Sequence, residues 1–378
     1  MNWYSPRKID TLVKECSKEY PVLLLIGTRG AGKGSIIGKA FPRFRQVSLE
    51  LPTAASLASD NPSLFLSMHP SPLVIDSIEA SPVLLDHIVS SCREKGRCRY
   101  VLVSKCLVEA DSEYVKTLYI DPLSYAESSS RSLEAFLLKG GYPELKHFEF
   151  IARDRFFSSF LSSFLSIDIR NERKVSSLLA FERLIRELAA ISSQTIDYAK
   201  LGRRIGASIP TVSSWVSILE KYRLISIVKP YPNSIARSVK SPRVYFNDTG
   251  LLVYLLGIES TERMLGSAFL LQIFRTFVFS EIRKSIDIAS SDCSVYFYSE
   301  HSGLSADFII QGMGGGAIIN AHWMERDDND RSELDEVREK LSLDGFALCS
   351  VTRAEERKEA DGITVIPADQ ISSMPLGL

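Results

Sequence analysis

The sequence predicts three modules of different class: an α/β module on a parallel sheet (residues 1–147), an all-α module closing in helix, turn, helix and wing strand (148–257), and a second, mixed α/β module (258–378). Three observations lead there. In the first stretch, short continuous apolar runs alternate with segments of helical composition, as in strands buried on both faces by crossover helices. In the second, apolar residues recur at three- and four-residue spacings. In the third, one long apolar helical segment precedes three runs of strand composition.

The strands of the first module are read at "YPVLLLIG", "RQVSLEL", "SPLVIDS", "RYVLVSK" and "VKTLYIDPL". The segment "SSSRSLEAFLLKGGYPEL" reads as a helix closed by Gly140 and Gly141 and followed by a turn at Pro143. Next come the helical patterns "FFSSFLSSFLSI" and "SLLAFERLIRELAAI". In "DYAKLGRRIGASIPTVSSWVSILEKYRLISIVKPY" a short helix ends near Gly206, Ser208 or Pro210 starts another, and "LISIVKPY" supplies the wing. The last module opens with "AFLLQIFRTFVFSEIRKSI", a buried helix, then "CSVYFYSE", "LSADFIIQ" and "GAIINAHW" as strands. "GMGGG" lies between two of these strands and opens no helix, so it reads as a hairpin turn and not as a phosphate cradle.

Composition bounds the function. An apolar share of 45% and a charged share of 24% belong to a globular protein, and no run approaches the roughly 20 apolar residues that span a bilayer. "MNWYSPRKIDTLVKE" lacks the apolar stretch of a signal peptide, so a cytoplasmic protein with no membrane partner is expected. The six cysteines contain no C-x-x-C pair, which argues against zinc and against a disulfide framework. The net charge of −1 is unevenly spread: nine bases face one acid from Lys200 to Arg243, whereas thirteen acids face seven bases from Glu325 to Asp361. A basic middle and an acidic end suit different partners.

The motif richest in chemistry is "LLLIGTRGAGKGS". Gly27, Thr28, Arg29, Gly30, Ala31, Gly32, Lys33, Gly34 and Ser35 follow an apolar strand and lead into "SIIGKAF", a helix. In that setting G-x-x-x-x-G-K turns backbone N–H groups onto an anion while the lysine reaches the terminal phosphates, so ATP or ADP is the expected cofactor. The hydroxyl that normally follows and binds magnesium is replaced by Gly34; Ser35 lies about 100° further round the helix. Asp76, ending the apolar run "PLVID", is the candidate magnesium acid. The glutamate that would polarise water after it is replaced by Ser77, and Glu79 falls two residues further on.

The order of these motifs, with "GGYPEL", "SPRVYFNDTGLLVYLLGI", "FRTFVFSEI" and "ADFII", resembles the bacterial and archaeal AAA+ ATPases that carry a winged-helix segment and a C-terminal restriction-endonuclease-like domain of unknown function. The resemblance covers nearly the whole chain, and "SPRVYFNDTGLLVYLLGI" is its most specific element. It implies an α/β P-loop AAA+ domain, an all-α winged-helix middle domain and an α/β nuclease-like C-terminal domain. Gly27, Gly32 and Lys33 match the family's phosphate loop and Asp76 its metal acid. Gly34 and Ser77 depart from it, and Ser104 is the remaining candidate for a polar sensor. The family's nuclease position retains Asp307, but Arg275 stands at the helix acid and Asn320-Ala-His322 at Glu-x-Lys. Glu281, read as a solvated helix residue, and Glu300 are the acids that recruitment would need, and a lone His322 with Asp307 is below a metal's ligand count.

The resulting expectation is a pseudoenzyme that binds nucleotide with weak or no hydrolysis, acts as an interaction or regulatory protein and has no nuclease activity. Two alternatives stand beside it. One is a working ATPase coupled to DNA, in which Asp76 and water-held magnesium suffice. The other is a winged-helix protein that contacts double-stranded DNA through Arg203, Arg204, Lys221 and Arg223, with Ser208, Thr211, Ser213 and Ser214 facing outward and Trp215, Ile218 and Leu219 facing the core. AAA+ ancestry makes a homo-oligomer conceivable, though no residue is assignable as its arginine finger.

Overall fold

The apolar runs of the first stretch become a five-stranded parallel sheet in the computed structural model, which describes residues 4–95, 98–147, 152–170, 172, 174–232, 239–289, 291–324, 329–353, 356–360 and 362–373. The chain divides into two units, one of residues 1–123, 142–144 and 221–223, the other of 124–141, 145–220 and 224–378.

In the first unit, helices α1 (Ile9–Glu19), α2 (Lys33–Ala40), α3 (Pro52–Asp60), α4 (Pro62–Met68) and α5 (Val83–Lys95) alternate with strands β1 (Val22–Ile26), β2 (Arg45–Ser48), β3 (Leu73–Asp76), β4 (Tyr100–Ser104) and β5 (Val115–Tyr119). The strand order is β2-β3-β4-β1-β5, with every pairing parallel. Leu24 of β1 stands between Leu102 and Thr117. Burial on both faces explains the lack of alternation in "VLLLI": all five residues are buried. Val22, Leu24, Ile75 and Leu102 pack with Phe65, Leu84 and Ile88 from the covering helices, each such burial contributing about 2 kcal/mol. The chain leaves β1 for β2 on one side and returns to β5 on the other. That reversal opens a crevice at the carboxyl ends of the strands, where an α/β sheet binds its ligands.

The second unit contains α6 (Tyr125–Ser128), α7 (Leu133–Lys139), α9 (Arg153–Ser163), α10 (Leu178–Ala190), α11 (Tyr198–Ile205), nearly all of α12 (Ile209–Lys221), α13 (Thr249–Leu255), α14 (Thr261–Leu265), α15 (Leu270–Ala289) and α16 (Asp330–Lys340). Pro143 opens a further short helix, α8 (Pro143–His147), where the sequence reads as a turn: proline suits a first helical position, because its missing N–H would lack a partner there anyway. The strands are β6 (Ile225–Pro230), β7 (Arg243–Phe246), β8 (Ser294–Ser299), β9 (Ser305–Gly312), β10 (Gly315–Ala321), β11 (Ala347–Thr352), β12 (Lys358–Ala360) and β13 (Ile363–Pro367). They join in one mixed sheet of order β12-β13-β11-β10-β9-β8-β6-β7. The boundary drawn at residue 257 therefore runs through a single unit, because Lys229 and Pro230 of β6 pair with Tyr296 and Phe297 of β8. "GMGGG" is a hairpin turn, with Gly312 opposite Gly315 in the antiparallel β9–β10 ladder.

Two of the distinctive motifs meet here. Asp248 of "NDTGLL" caps α13 by accepting from Leu251 N at 2.9 Å, and it also accepts from Gly141 N of "GGYPEL" at 2.8 Å. A Cβ on Gly250 would stand 2.4 Å from the Lys139 carbonyl oxygen, so α13 and the end of α7 approach at a distance that glycine permits.

Candidate functional site

The loop after β1 runs through the crevice of the first unit. Gly27 N bonds to Ser104 O at 3.1 Å, and a Cβ there would lie 2.0 Å from Ile120 O, so the loop leaves the sheet between the ends of β4 and β5. Gly32, at φ +95°, turns the chain into α2, whose first residue is Lys33. Ala31 is buried, Gly30, Gly34 and Ser35 are exposed, and Arg29 is half-buried. From the amino-terminal segment, Arg7 donates to Ala31 O at 2.8 Å and to Asp121 O, holding the loop from outside.

Lys33 is buried and its ammonium donates to the Gly27 and Thr28 carbonyls. Burial pulls its pKa down to about 8, against the opposing pull of Asp76 and Glu79. The Thr28 hydroxyl is buried with no hydrogen-bond partner. An orphaned donor and a desolvated cation within a turn of backbone amides suit a phosphate. Gly27, Thr28, Arg29, Gly30, Ala31, Gly32 and Lys33 would hold it, and the nucleotide would supply the phosphoanhydride.

Magnesium fits less well. Gly34 carries no hydroxyl, and the Asp76 Oδ1 accepts from Ser77 N at 2.9 Å. Ser77 is buried, at φ 61°, which puts the position of a water-polarising glutamate in left-handed backbone. Ser104, the sensor candidate, donates to Cys106 O at 2.6 Å and accepts from Cys106 N, so it also shapes the turn after β4. Two further residues complete the crevice, Glu79, which its spacing sets off the catalytic position, and Lys105, which no motif marks. Glu79, raised in pKa by burial despite Ser104 and Lys105 beside it, follows β3; Lys105 follows β4 and is ion-paired to Glu50. Their spacing matches no motif, and only the parallel register brings them together.

The four basic residues assigned to nucleic acid have different surroundings. Arg223 is a correction: it is 2% exposed, bonds Asp121 at 2.8 and 2.9 Å and covers the Tyr119 ring at 4.3 Å. A guanidinium committed to a buried carboxylate cannot meet a phosphate. Arg204 is exposed and pairs with Glu187, Arg203 is exposed, and Lys221 is half-buried beside Tyr222. Ser208 and Ser213 face solvent, Thr211 and Ser214 are half-buried, and Trp215, Ile218 and Leu219 are buried as expected.

In the second unit Asp307, on β9, is buried among cations. Arg275 of α15 lies 2.9 Å from its Oδ2, Arg243 of β7 lies 3.4 Å from its Oδ1, and Ala321 N donates to Oδ2 at 3.1 Å. Asn320 accepts from Asp307 N and donates to Asp330 at 2.6 Å. His322 stands 3.2 Å from Asp330, so its partner is that acid and not Asp307 as its sequence position suggested. Burial pulls the His322 pKa down, but the Asp330 hydrogen bond and charge, with Asp307, outweigh it and hold the imidazole above its ordinary value. Glu281 is corrected as well. It is 4% exposed, accepts from Tyr125 N and pairs with Lys284 at 2.8 Å, because α15 is covered on that face. Glu300 is held by Tyr298, Ser302 and Lys340. Among the described residues, no three His, Cys, Asp or Glu side chains group as metal ligands.

A family model described as a domain of unknown function (DUF8612) matches residues 130–262. Two curated mycobacterial relatives, Uncharacterized protein Mb2031c of Mycobacterium bovis and Uncharacterized protein Rv2008c of Mycobacterium tuberculosis, are each 27% identical over 256 residues. The match covers 63% of this chain and 57% of each relative, so the chain spans little more than half of their length. Among solved structures, the Walker-type ATPase PABY2304 of Pyrococcus abyssi is similar at 12% identity, over 67% of this chain and 96% of that one, with a TM-score of 0.43. The signal-transduction ATPase PH0952 of Pyrococcus horikoshii, which has a tetratricopeptide repeat sensor, is similar at 10% identity over 76% and 47%, with a TM-score of 0.29. The parallel sheet, the glycine loop and the buried lysine at the start of α2 make the first unit a fold of the P-loop NTPase type.

Proposed function

We propose that this chain is an AAA+-type protein that binds ATP or ADP in the loop Gly27 to Ser35, turns it over slowly or not at all, and uses the bound state in interaction or regulation. The observation that carries this reading is Lys33, buried at the head of α2 with its ammonium on the loop's own carbonyls. A phosphate entering the loop offers that ammonium a stronger, charged acceptor. Slow chemistry follows from the missing hydroxyl at Gly34 and from Ser77, where left-handed backbone and burial would strain a glutamate.

The first unit would then be the nucleotide module, and the second would join a helical, winged-helix part (148–257) to a nuclease-like part (258–378) without nuclease chemistry. The order α11, Gly206, α12, β6, β7 supports the winged-helix part. The cations around Asp307 support the loss of nuclease chemistry, since they occupy a carboxylate that a metal would need.

Calorimetric titration with ATP and with ADP tests the nucleotide site. Saturable binding in the micromolar range is expected, and Lys33→Ala should weaken it by about tenfold or more. Absence of heat at millimolar nucleotide, with an unchanged melting temperature, would sink the proposal.

A further inference from the structure

Lys105 follows Ser104 at the end of β4 with its side chain 13% exposed. Its ammonium is paired to Glu50 and stands 4.0 Å from Glu79. Glu50 also faces Arg29 of the phosphate loop, 3.8 Å away. Arg29 and Lys105 thus share one carboxylate beside the loop, and both act electrostatically on Lys33. Three cations converge where β1 and β4 end, faced by the acids Glu50, Glu79 and Asp76.

The metal side of the same crevice is depleted. A P-loop normally holds magnesium through the hydroxyl after the lysine, together with the phosphates and an acid. Here a Cβ on Gly34 would meet nothing within 4 Å, so space exists where the ligand is lacking. The polyphosphate still needs its charge offset, and a lysine ammonium does this as a compact point charge.

We propose that this loop takes a nucleoside di- or triphosphate free of magnesium, with Lys105 and Arg29 supplying the positive charge that the metal would otherwise supply. The inference rests on the nucleotide reading of the loop. Glu50, whose side chain is 47% exposed, is the anion that the phosphates displace from Lys105.

Calorimetry of the full chain with ADP and with ATP, in excess EDTA and in excess Mg²⁺, tests it. The dissociation constants in the two buffers should agree within about threefold, a difference under 1 kcal/mol. Lys105→Ala should weaken metal-free binding by about tenfold, Lys105→Arg should retain most of it, and Glu50→Gln, at an exposed position, should tighten it. Binding that falls by about tenfold or more in EDTA overturns this inference alone and leaves the nucleotide site standing. Metal-free binding indifferent to both the Lys105 and the Glu50 changes overturns it too. Absence of binding in either buffer overturns the nucleotide reading together with this inference.

Discussion

Lys33 shows what it costs the fold to bury one charged side chain. Its pKa, about 8 where lysine is ordinarily near 10.5, disfavours the charged form by about 3 kcal/mol. The sign follows from proton counting. Between those two values the unfolded chain binds more protons than the folded one, so stability rises with pH through that window. Compared with Lys33→Met in the absence of nucleotide, the wild type should gain up to about 3 kcal/mol between pH 8 and pH 10.5, measured by denaturant unfolding of both proteins. A difference that does not vary with pH would mean that Lys33 titrates as an ordinary lysine. Gly34 and Ser77, equivalent as losses in the sequence, differ in the structure. A side chain has room at Gly34, whereas Ser77 is buried in left-handed backbone.

At the scale of elements, the junction of α7 with α13 is the sharpest case. A Cβ at Gly250 would stand 2.4 Å from a backbone oxygen that no rotamer change can move. Gly250→Ala should therefore destabilise the second unit by about 2–3 kcal/mol, read as a lower midpoint in urea. An unchanged midpoint would show that the two helices separate freely. The sequence marked "NDTGLL" and "GGYPEL" as specific without revealing why. They lie more than a hundred residues apart, and the reason is their contact: Asp248 bonds the N–H groups of both Leu251 and Gly141. Within elements, periodicity was legible. Trp215, Ile218 and Leu219 lie on one buried face of α12, and the fully apolar "VLLLI" is the interior strand β1, between β4 and β5. Side-chain partners were not legible. Glu281, polar in composition, is buried because Tyr125 N and Lys284 satisfy it.

For the whole molecule, the excess of nine bases over one acid between Lys200 and Arg243 overstates the positive surface. Arg223 is spent on Asp121, Arg243 on Asp307 and Arg204 on Glu187, while Arg237 lies outside the described residues. Binding to a duplex, followed by fluorescence anisotropy between 50 and 200 mM salt, should fall by no more than about a thousandfold, the value for phosphate contacts by the other six bases. A fall approaching about a hundred-thousandfold would engage all nine bases with DNA and restore the nucleic-acid reading in full.

By itself the sequence determined the classes of the elements, the glycine loop between β1 and α2 and the lack of a hydroxyl at Gly34, because local periodicity and glycine spacing are properties of neighbours along the chain. Tertiary structure alone decided which charges are available. Lys105 and Glu50 come beside the loop through parallel register, Arg223 is withdrawn onto Asp121, and Asp307 is enclosed by Arg275 and Arg243. The physical reason is that the energy of a charge depends on burial and on partners far away in sequence, and no local pattern records either.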